Sequence, residues 1–315
     1  MTGGPQGARS KTERRYRGRF APSPTGPLHF GSLIAATASY LQAMAADGEW
    51  LVRIEDIDPP REVPGAADQI ITSLRAHGFR WSGKVCYQSQ NIDRFQLAAQ
   101  HLLDAGHAYH CLCSRQQIRT GAEPGPLGPV YPGTCRRLTN RAHGRPSAIR
   151  VRTDSRPLVI QDRLQGELRS RLENEVGDFV IRRKDGLTAY ALAVAIDDGS
   201  QRITEVVRGV DLLDFTPAQI HLMRLLGLSV PDYMHIPIVV DAAGEKLSKQ
   251  TGAAPVDDRR PEENLRRCLT FLGQDPHPSG RRISLDELWE WAIDHWRPQR
   301  LKGCRSRPIT QLSLT

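Results

Sequence analysis

The distribution of apolar positions divides the chain into stretches of different character. Gly18 to Ala21 is strand-like and runs into the turn Pro22-Ser23-Pro24-Thr25-Gly26-Pro27. From Leu28 onward, Leu33, Ile34, Leu41 and Met44 recur at helical spacing, and Asp47-Gly48 supplies a stop. Trp50 to Ile54 reads as a buried strand ending in Glu55-Asp56-Ile57-Asp58, and Gly65 to His77 as the next helix, closed by Gly78. Asn91 is placed to cap a helix reaching Ala105-Gly106. Strand, Gly/Pro loop, helix, strand, helix is the order of a parallel α/β sheet.

The middle breaks this pattern. Between Ser114 and Thr134, eight of 21 residues are Gly or Pro, too many for a regular helix or strand. Arg136 to Arg183 is Arg-rich, with β-like stretches at Ile149-Arg150-Val151 and Val180-Ile181. α/β signals return at Tyr190 to Ile196 and Ile203 to Val207. Thr216-Pro217-Ala218-Gln219 then opens a helix with a capping-box pattern and Pro at the first helical position. An apolar strand, Ile236 to Val240, leads to a loop carrying Lys246-Leu247-Ser248-Lys249. The expected architecture is one α/β domain in two halves, residues 17–105 and 187–255, interrupted by an insertion at 106–186. Residues 1–16 read as a basic disordered tail. Residues 256–315 read as a short helical end, with Asp286 to Trp296 an amphipathic helix and Cys304-Arg305-Ser306-Arg307 a tail.

Composition removes several classes. The 315 residues are 39% hydrophobic and 25% charged, which suits a globular protein with a sizeable core. Lys plus Arg number 43 against 35 Asp plus Glu, and the net +8 keeps a polyanionic partner in view. The longest apolar run, around Ala189 to Ile196, is far short of the ~18 residues of a membrane helix. The stretch through Arg19 carries six cations but no apolar core of a secretory signal. Six cysteines are too few for a disulfide scaffold, and three of them cluster, so a cytoplasmic protein with a metal site is expected.

In α/β sheets, ligands sit beyond the carboxyl ends of strands, where helix N-termini offer free N–H groups. Arg19 to Ser32 lies at such a junction. Gly26 and Gly31 permit close backbone approach, and His29 sets an imidazole at the helix start. Taken alone, a His-x-Gly is more often a surface histidine in a Pro-rich turn. The segment is neither a P-loop nor Gly-x-Gly-x-x-Gly.

His29-Phe30-Gly31-Ser32 is similar to the His-Ile-Gly-His element of class I aminoacyl-tRNA synthetases, in the form used by glutamyl enzymes. Lys246-Leu247-Ser248-Lys249-Gln250 is similar to their Lys-Met-Ser-Lys-Ser loop, about 215 residues further on. Arg53-Ile54-Glu55-Asp56-Ile57-Asp58 and Val207-Arg208-Gly209-Val210-Asp211 also resemble glutamyl counterparts. The resemblance implies a Rossmann-type catalytic core in which a glutamate carboxylate attacks the α-phosphate of ATP, which arrives with Mg2+. It implies His29, Lys246 and Lys249 as catalytic groups, with ATP held by Pro22, Ser23, Gly26, His29, Gly31, Ser32 and Lys249. Glutamate would meet Arg19, Ala21, Ser23, Glu55, Tyr190 and Arg208. Planar guanidinium forks suit its two carboxylates, while Glu55 and Tyr190 suit its ammonium. Asp56 and Asp58 read as loop-start residues rather than metal ligands.

Cys111-Leu112-Cys113 is followed by Tyr131-Pro132-Gly133-Thr134-Cys135, a zinc-like arrangement that needs a fourth ligand. The residues alone nominate His107 or His110; the resemblance points instead to Tyr131, giving one structural Zn2+ on Cys111, Cys113, Tyr131 and Cys135. Cys86, Cys268 and Cys304 read as ordinary reduced thiols. About 66 residues follow Lys249, short of a helical anticodon-binding region. With the cysteine insertion, the chain resembles the glutamyl-queuosine tRNA(Asp) synthetase family. That family activates glutamate without tRNA and esterifies it to the queuosine base at the anticodon wobble position of tRNA(Asp). Implied partners are L-glutamate, ATP and that anticodon loop, with a monomeric protein and no membrane. The competing readings are a short glutamyl-tRNA synthetase charging the tRNA 3′ end and a catalytically inactive zinc-containing RNA-binding module.

Overall fold

The computed structural model describes residues 15–137, 145–241, 244–246, 254–274 and 283–308. The first part runs β1 (Arg17–Phe20), α1 (Phe30–Ala45), β2 (Glu49–Ile54), α2 (Ala66–Ala76), β3 (Cys86–Tyr87) and α3 (Ile92–Asp104). Next come β4 (Ala108–Cys111), α4 (Arg115–Arg119), β5 (Pro124–Gly125), β6 (Gly128–Pro129) and β7 (Ala148–Val151). They are followed by β8 (Leu158–Asp162), β9 (Gly166–Ser170), α5 (Leu172–Glu175) and β10 (Val180–Arg182). The remainder is α6 (Tyr190–Ser200), β11 (Glu205–Gly209), α7 (Thr216–Leu225), β12 (Asp232–Ile236), β13 (Ile238–Val240), α8 (Pro261–Phe271), α9 (Leu285–Asp294) and β14 (Ser306–Pro308).

β1 pairs in parallel with β2, β2 with β3, and β11 with β12. The two groups meet where Thr204 N–H donates to Arg17 O (2.9 Å) and Arg17 N–H donates to Thr204 Oγ1 (2.8 Å). Long crossovers through α1 and α2 make this parallel pairing possible. β4, β7 and β10 form a separate antiparallel sheet. The β8–β9 hairpin behaves differently: although it lies within 106–186, it extends the β11–β12 edge through Tyr233 opposite Asp162.

α1 is buried over most of its circumference, from Leu33 to Ala43, because sheet and C-terminal helices cover both sides. It starts at Phe30, two residues after the apolar pattern begins, with His29 as N-cap. At its other end Asp47 takes the left-handed conformation (φ 48°), not the glycine. Gly48 is needed for space, since a Cβ there would lie 2.7 Å from Tyr16 O. Trp50 stacks on Phe20 and Phe79, and Tyr40 and Trp289 complete the aromatic cluster. Trp289 also donates to His77 O (2.9 Å) and Trp296 to Gln42 Oε1 (2.8 Å), tying the last helices to the sheet layer.

Four local expectations change. Thr216 is not a cap: it is the first residue of α7, and its Oγ1 is engaged by Arg208. Asn91 precedes α3, but its amide donates to Asp197 Oδ1 (3.4 Å) instead of capping. In both, a buried charged partner outcompetes the local backbone. The apolar run Ile236 to Val240 is two strands, because Pro237 has no N–H to continue a ladder. The segment read as a tail is largely β14, in parallel register with β13 from Ile238–Ser306 to Val240–Pro308. Its side chains carry no apolar signal; Arg307 instead donates to Phe271 O (2.6 Å). Among the described residues no helix is long and apolar enough to cross a membrane.

Candidate active site

A cavity of about 510 Å³ opens where β1, β2 and β11 end against the start of α1. Arg19, Ala21, Pro22 and Ser23 reach it from the end of β1 and the turn that follows. His29, Gly31 and Ser32 reach it from the start of α1, and Glu55, Tyr190, Arg208 and Lys246 from elsewhere. Gly26 does not line it; it lies buried in the turn with φ 134°, a conformation glycine alone adopts readily. Lys249 lies outside the described residues.

His29 is bent back on its own helix. Its Nδ1 accepts from Ser32 N–H (3.3 Å), and its Nε2 lies 2.8 Å from Ser32 Oγ. With Nδ1 accepting, the remaining proton sits on Nε2. The imidazole therefore supplies a cap while its ring stands beside the N–H groups of the first turn, the positive end of α1. Across the cavity Lys246 pairs with Asp211 Oδ2 (2.5 Å), an acid the sequence reading did not single out as a site residue.

The two cavity arginines differ in their partners. Arg19 donates from Nε and Nη2 to the two oxygens of Asp198 (3.1 and 3.2 Å), a forked pair that is almost wholly buried. Asp198 also accepts from Arg53 Nη1 (2.7 Å), and Arg53 Nη2 reaches Glu55 Oε1 (3.3 Å). Arg19 and Arg53 hold the Asp198 carboxyl below its ordinary range against the opposing effect of burial, whereas burial pushes Glu55 up. Arg208, by contrast, meets His235 Nε2 (3.0 Å) and Thr216 Oγ1 (2.8 Å), and its Nη1 is buried with no hydrogen-bond partner among the described residues. Asp198, Arg53 and His235 all support the site and were missed as such. The double acid Asp197-Asp198 inside an apolar helix was the available signal. Asp56 accepts from Ser89, and Asp58 pairs with Arg61 and Arg183, so both are engaged at the loop.

The cysteine cluster is assembled apart from this cavity. The Sγ atoms of Cys111, Cys113 and Cys135 lie within 4.8 Å of one another, with Cys113 and Cys135 at 3.5 Å. Tyr131 Oη is 3.4 Å from Cys111 Sγ and 3.6 Å from Cys113 Sγ, and it accepts from Cys135 N–H (2.9 Å). The Arg150 guanidinium covers the Tyr131 ring at 3.9 Å. Burial pushes the Tyr131 phenol and the Cys113 thiol up. Neither His107 nor His110 joins the group, and His110 Nδ1 is paired with Ser147 Oγ (2.9 Å). A tetrahedron with Zn–S near ~2.3 Å and Zn–O near ~2.0 Å has S–S edges of about 3.8 Å and S–O edges of about 3.5 Å. The donor set and these separations fit such an ion. Cys268 lies in the core away from this group, its thiol pushed up to about 12 by burial.

A parallel sheet with a ligand-sized cavity at its strand ends and a His-x-Gly helix start across from Lys246 define a class of protein. A family model described as tRNA synthetases class I (E and Q), catalytic domain, matches residues 15–277. The Glutamyl-Q tRNA(Asp) synthetase of Chromobacterium violaceum is 50% identical over 287 residues, covering 91% of this chain and 95% of that protein. That of Dechloromonas aromatica is 51% identical over 284 residues, covering 89% of this chain and 94% of the relative. That of Pseudomonas aeruginosa PAO1 is 47% identical over 298 residues, covering 94% and 99%. The chain belongs to the glutamyl-Q tRNA(Asp) synthetase family within the class I synthetases, and is a ligase. The glutamate-tRNA synthetase of Elizabethkingia anophelis shares the fold at TM-score 0.76 and 22% identity, covering 95% of this chain and 69% of that one. A glutamate tRNA ligase of Elizabethkingia meningosepticum, solved with its amino acid, gives TM-score 0.75 at 23% identity, covering 95% and 68%.

Proposed function

We propose that the protein activates L-glutamate with ATP without tRNA and then transfers it to the queuosine base at the wobble position of tRNA(Asp). The observation that carries the activation step is the single cavity shared by a His-capped helix start, Lys246 and two buried arginines. A glutamate carboxylate oxygen attacks the α-phosphorus of ATP, forming glutamyl-adenylate as the bond to pyrophosphate breaks. Negative charge gathers on the phosphate oxygens, and preorganised donors there lower the barrier. His29 and the N–H groups beside Gly31 face those oxygens, with Ser32 holding the His29 ring through its N–H and hydroxyl, and Lys246 with Lys249 neutralises the leaving pyrophosphate. Pro22, Ser23 and Gly26 shape the turn that admits ATP, whose Mg2+ travels with it. Arg19 and Arg208 take the carboxylates of glutamate, Glu55 and Tyr190 its ammonium, and Ala21 and Ser23 its backbone side.

The names of relatives at 47–51% identity support tRNA(Asp) as acceptor. A hydroxyl of queuosine attacks the adenylate carbonyl and AMP leaves. Zinc on Cys111, Cys113, Tyr131 and Cys135 would keep the Gly/Pro-rich segment ordered, and its charge would ionise the buried phenol. Two assays test the reading. Glutamate-dependent ATP–pyrophosphate exchange without tRNA should proceed; its absence would favour an inactive RNA-binding module. Transfer should persist on queuosine-containing tRNA whose 3′-terminal adenosine has been removed, a treatment that leaves the vicinal diol of queuosine intact; its loss would favour 3′-end charging.

A further inference from the structure

Among the described residues, Arg208 is the cavity arginine with no acid paired to it. Arg19 has both oxygens of Asp198. The side-chain partners of Arg208 are neutral: His235 Nε2 at 3.0 Å and Thr216 Oγ1 at 2.8 Å, with Tyr233 beneath the guanidinium at 5.7 Å. His235 is fully buried and sits on β12 directly opposite Arg208 of β11 in the parallel register. Behind it, Nδ1 lies 2.6 Å from Asp162 Oδ2. Asp162 comes from the end of β8 and is fixed by N–H groups of Leu164 (3.0 Å), Gln165 (2.8 Å) and His235 itself.

Hydrogen-bond chemistry leaves this chain one arrangement. A guanidinium has donors only, so Nε2 must accept from Arg208; a carboxylate accepts, so Nδ1 must carry the proton. His235 is therefore neutral with its proton on Nδ1. Burial first, and the Arg208 charge, push its pKa down to about 4 against the pull of Asp162. The groups facing it are Asp162 from β8, Arg208 from β11, Thr216 from α7 and the stacked Tyr233 ring.

We infer that Asp162 and His235 are positioning residues that fix the Arg208 guanidinium through neutral contacts, so that its full charge and its unpartnered Nη1 are kept for a carboxylate of the amino acid. Asp162 does this at one remove: its negative charge selects the His235 tautomer without touching the arginine. The pocket thus has an arginine paired with an acid, Arg19, and one held by neutral side chains, Arg208. This rests on the proposed glutamate activation, since the anion is the substrate of that reaction.

Three variants test the clamp. In Asp162→Asn the amide oxygen keeps the three N–H contacts of Oδ1, which turns the NH2 toward His235 Nδ1 and drives the proton to Nε2, facing Arg208. His235→Asn removes the acceptor for Arg208, and His235→Gln places an amide oxygen near the position of Nε2. The KM for glutamate in tRNA-free pyrophosphate exchange should rise about tenfold in the first two, the loss of one charge-assisted contact, with the KM for ATP unchanged. His235→Gln should stay within about threefold of wild type. In 15N-histidine-labelled protein, the resonance absent from His235→Gln should show the Nδ1–H tautomer in wild type and Nε2–H in Asp162→Asn. An unchanged glutamate KM in folded variants, an equal rise in the KM for ATP, or an Nε2–H tautomer in wild type would overturn the inference. Wild-type protein inert in exchange would instead refute the proposed activation, and the tautomer signature would still decide the clamp.

Discussion

Replacing Asp198 with Asn should destabilise the protein more than it alters its shape. The carboxylate is 2% exposed and accepts from Arg19 Nε, Arg19 Nη2 and Arg53 Nη1 at 3.1, 3.2 and 2.7 Å. Asparagine keeps one acceptor oxygen, so at least one contact is lost and the others lose their charge assistance. Breaking a buried pair by removing one partner costs about 3–5 kcal/mol. Arg53 retains Glu55 at 3.3 Å and Asp197 at 3.9 Å, which sets the expectation at the lower end, about 3 kcal/mol. For a chain of 315 residues that is a fall in Tm of roughly 4–5 °C.

The pH dependence has a fixed sign. The folded carboxyl is held low, so its contribution is complete above the unfolded carboxylate pKa near ~3.9 and is lost as pH falls through the folded value. Urea midpoints of wild type and Asp198→Asn should therefore differ by a constant amount between neutral pH and about pH 5, and converge below about pH 4. A Tm change under about 2 °C, or a gap that widens on acidification, would refute the reasoning.

Three further outcomes are expected. His29→Ala should lower pyrophosphate exchange by about 10²-fold and melt only a few degrees earlier, because a cap contributes about 1 kcal/mol while preorganised charge stabilisation contributes more. Cys113→Ser should abolish zinc content by plasma mass spectrometry and raise amide exchange in 121–135, while tRNA-free exchange activity stays within about threefold. Trp289→Ala should cost about 3–5 kcal/mol in urea unfolding, since the indole fills the aromatic cluster and holds α9 through His77 O.

Local pattern made much of the fold legible. α1, β2 and the helix after Gly65 follow from periodicity and glycine stops, because their apolar faces meet the sheet layer directly. His29 and Lys246, one residue from each of the paired signatures, line one cavity. What escaped the sequence reading lies in long-range polar contacts. Thr216 looks like a cap until Arg208 from β11 engages its hydroxyl, and Asn91 looks like one until its amide donates to Asp197. His235 stands just before an apolar run and carries no local sign of Asp162, 73 residues away. β14 has too few apolar side chains to announce a strand, since its partner, not its composition, makes it one.

That pairing of β13 with β14 ties folding to the order of synthesis. β13 lies beside Pro237 at the wall of the cavity; apart from the local bridge of Val240 to Lys246, its partner strand among the described residues stands 68 positions later, at Ser306 opposite Ile238. Closing so long a loop costs entropy that grows only slowly with length, but the contact forms late. As the chain leaves the ribosome, β13 has only the Val240–Lys246 bridge at hand, and the edge that β14 takes stays open until residues 306–308 are made. An open edge invites pairing with other chains. Nascent chains stalled between α8 and β14 should thus be the ones that need chaperones, and the wall bearing β13 should be among the last parts of the enzyme to set.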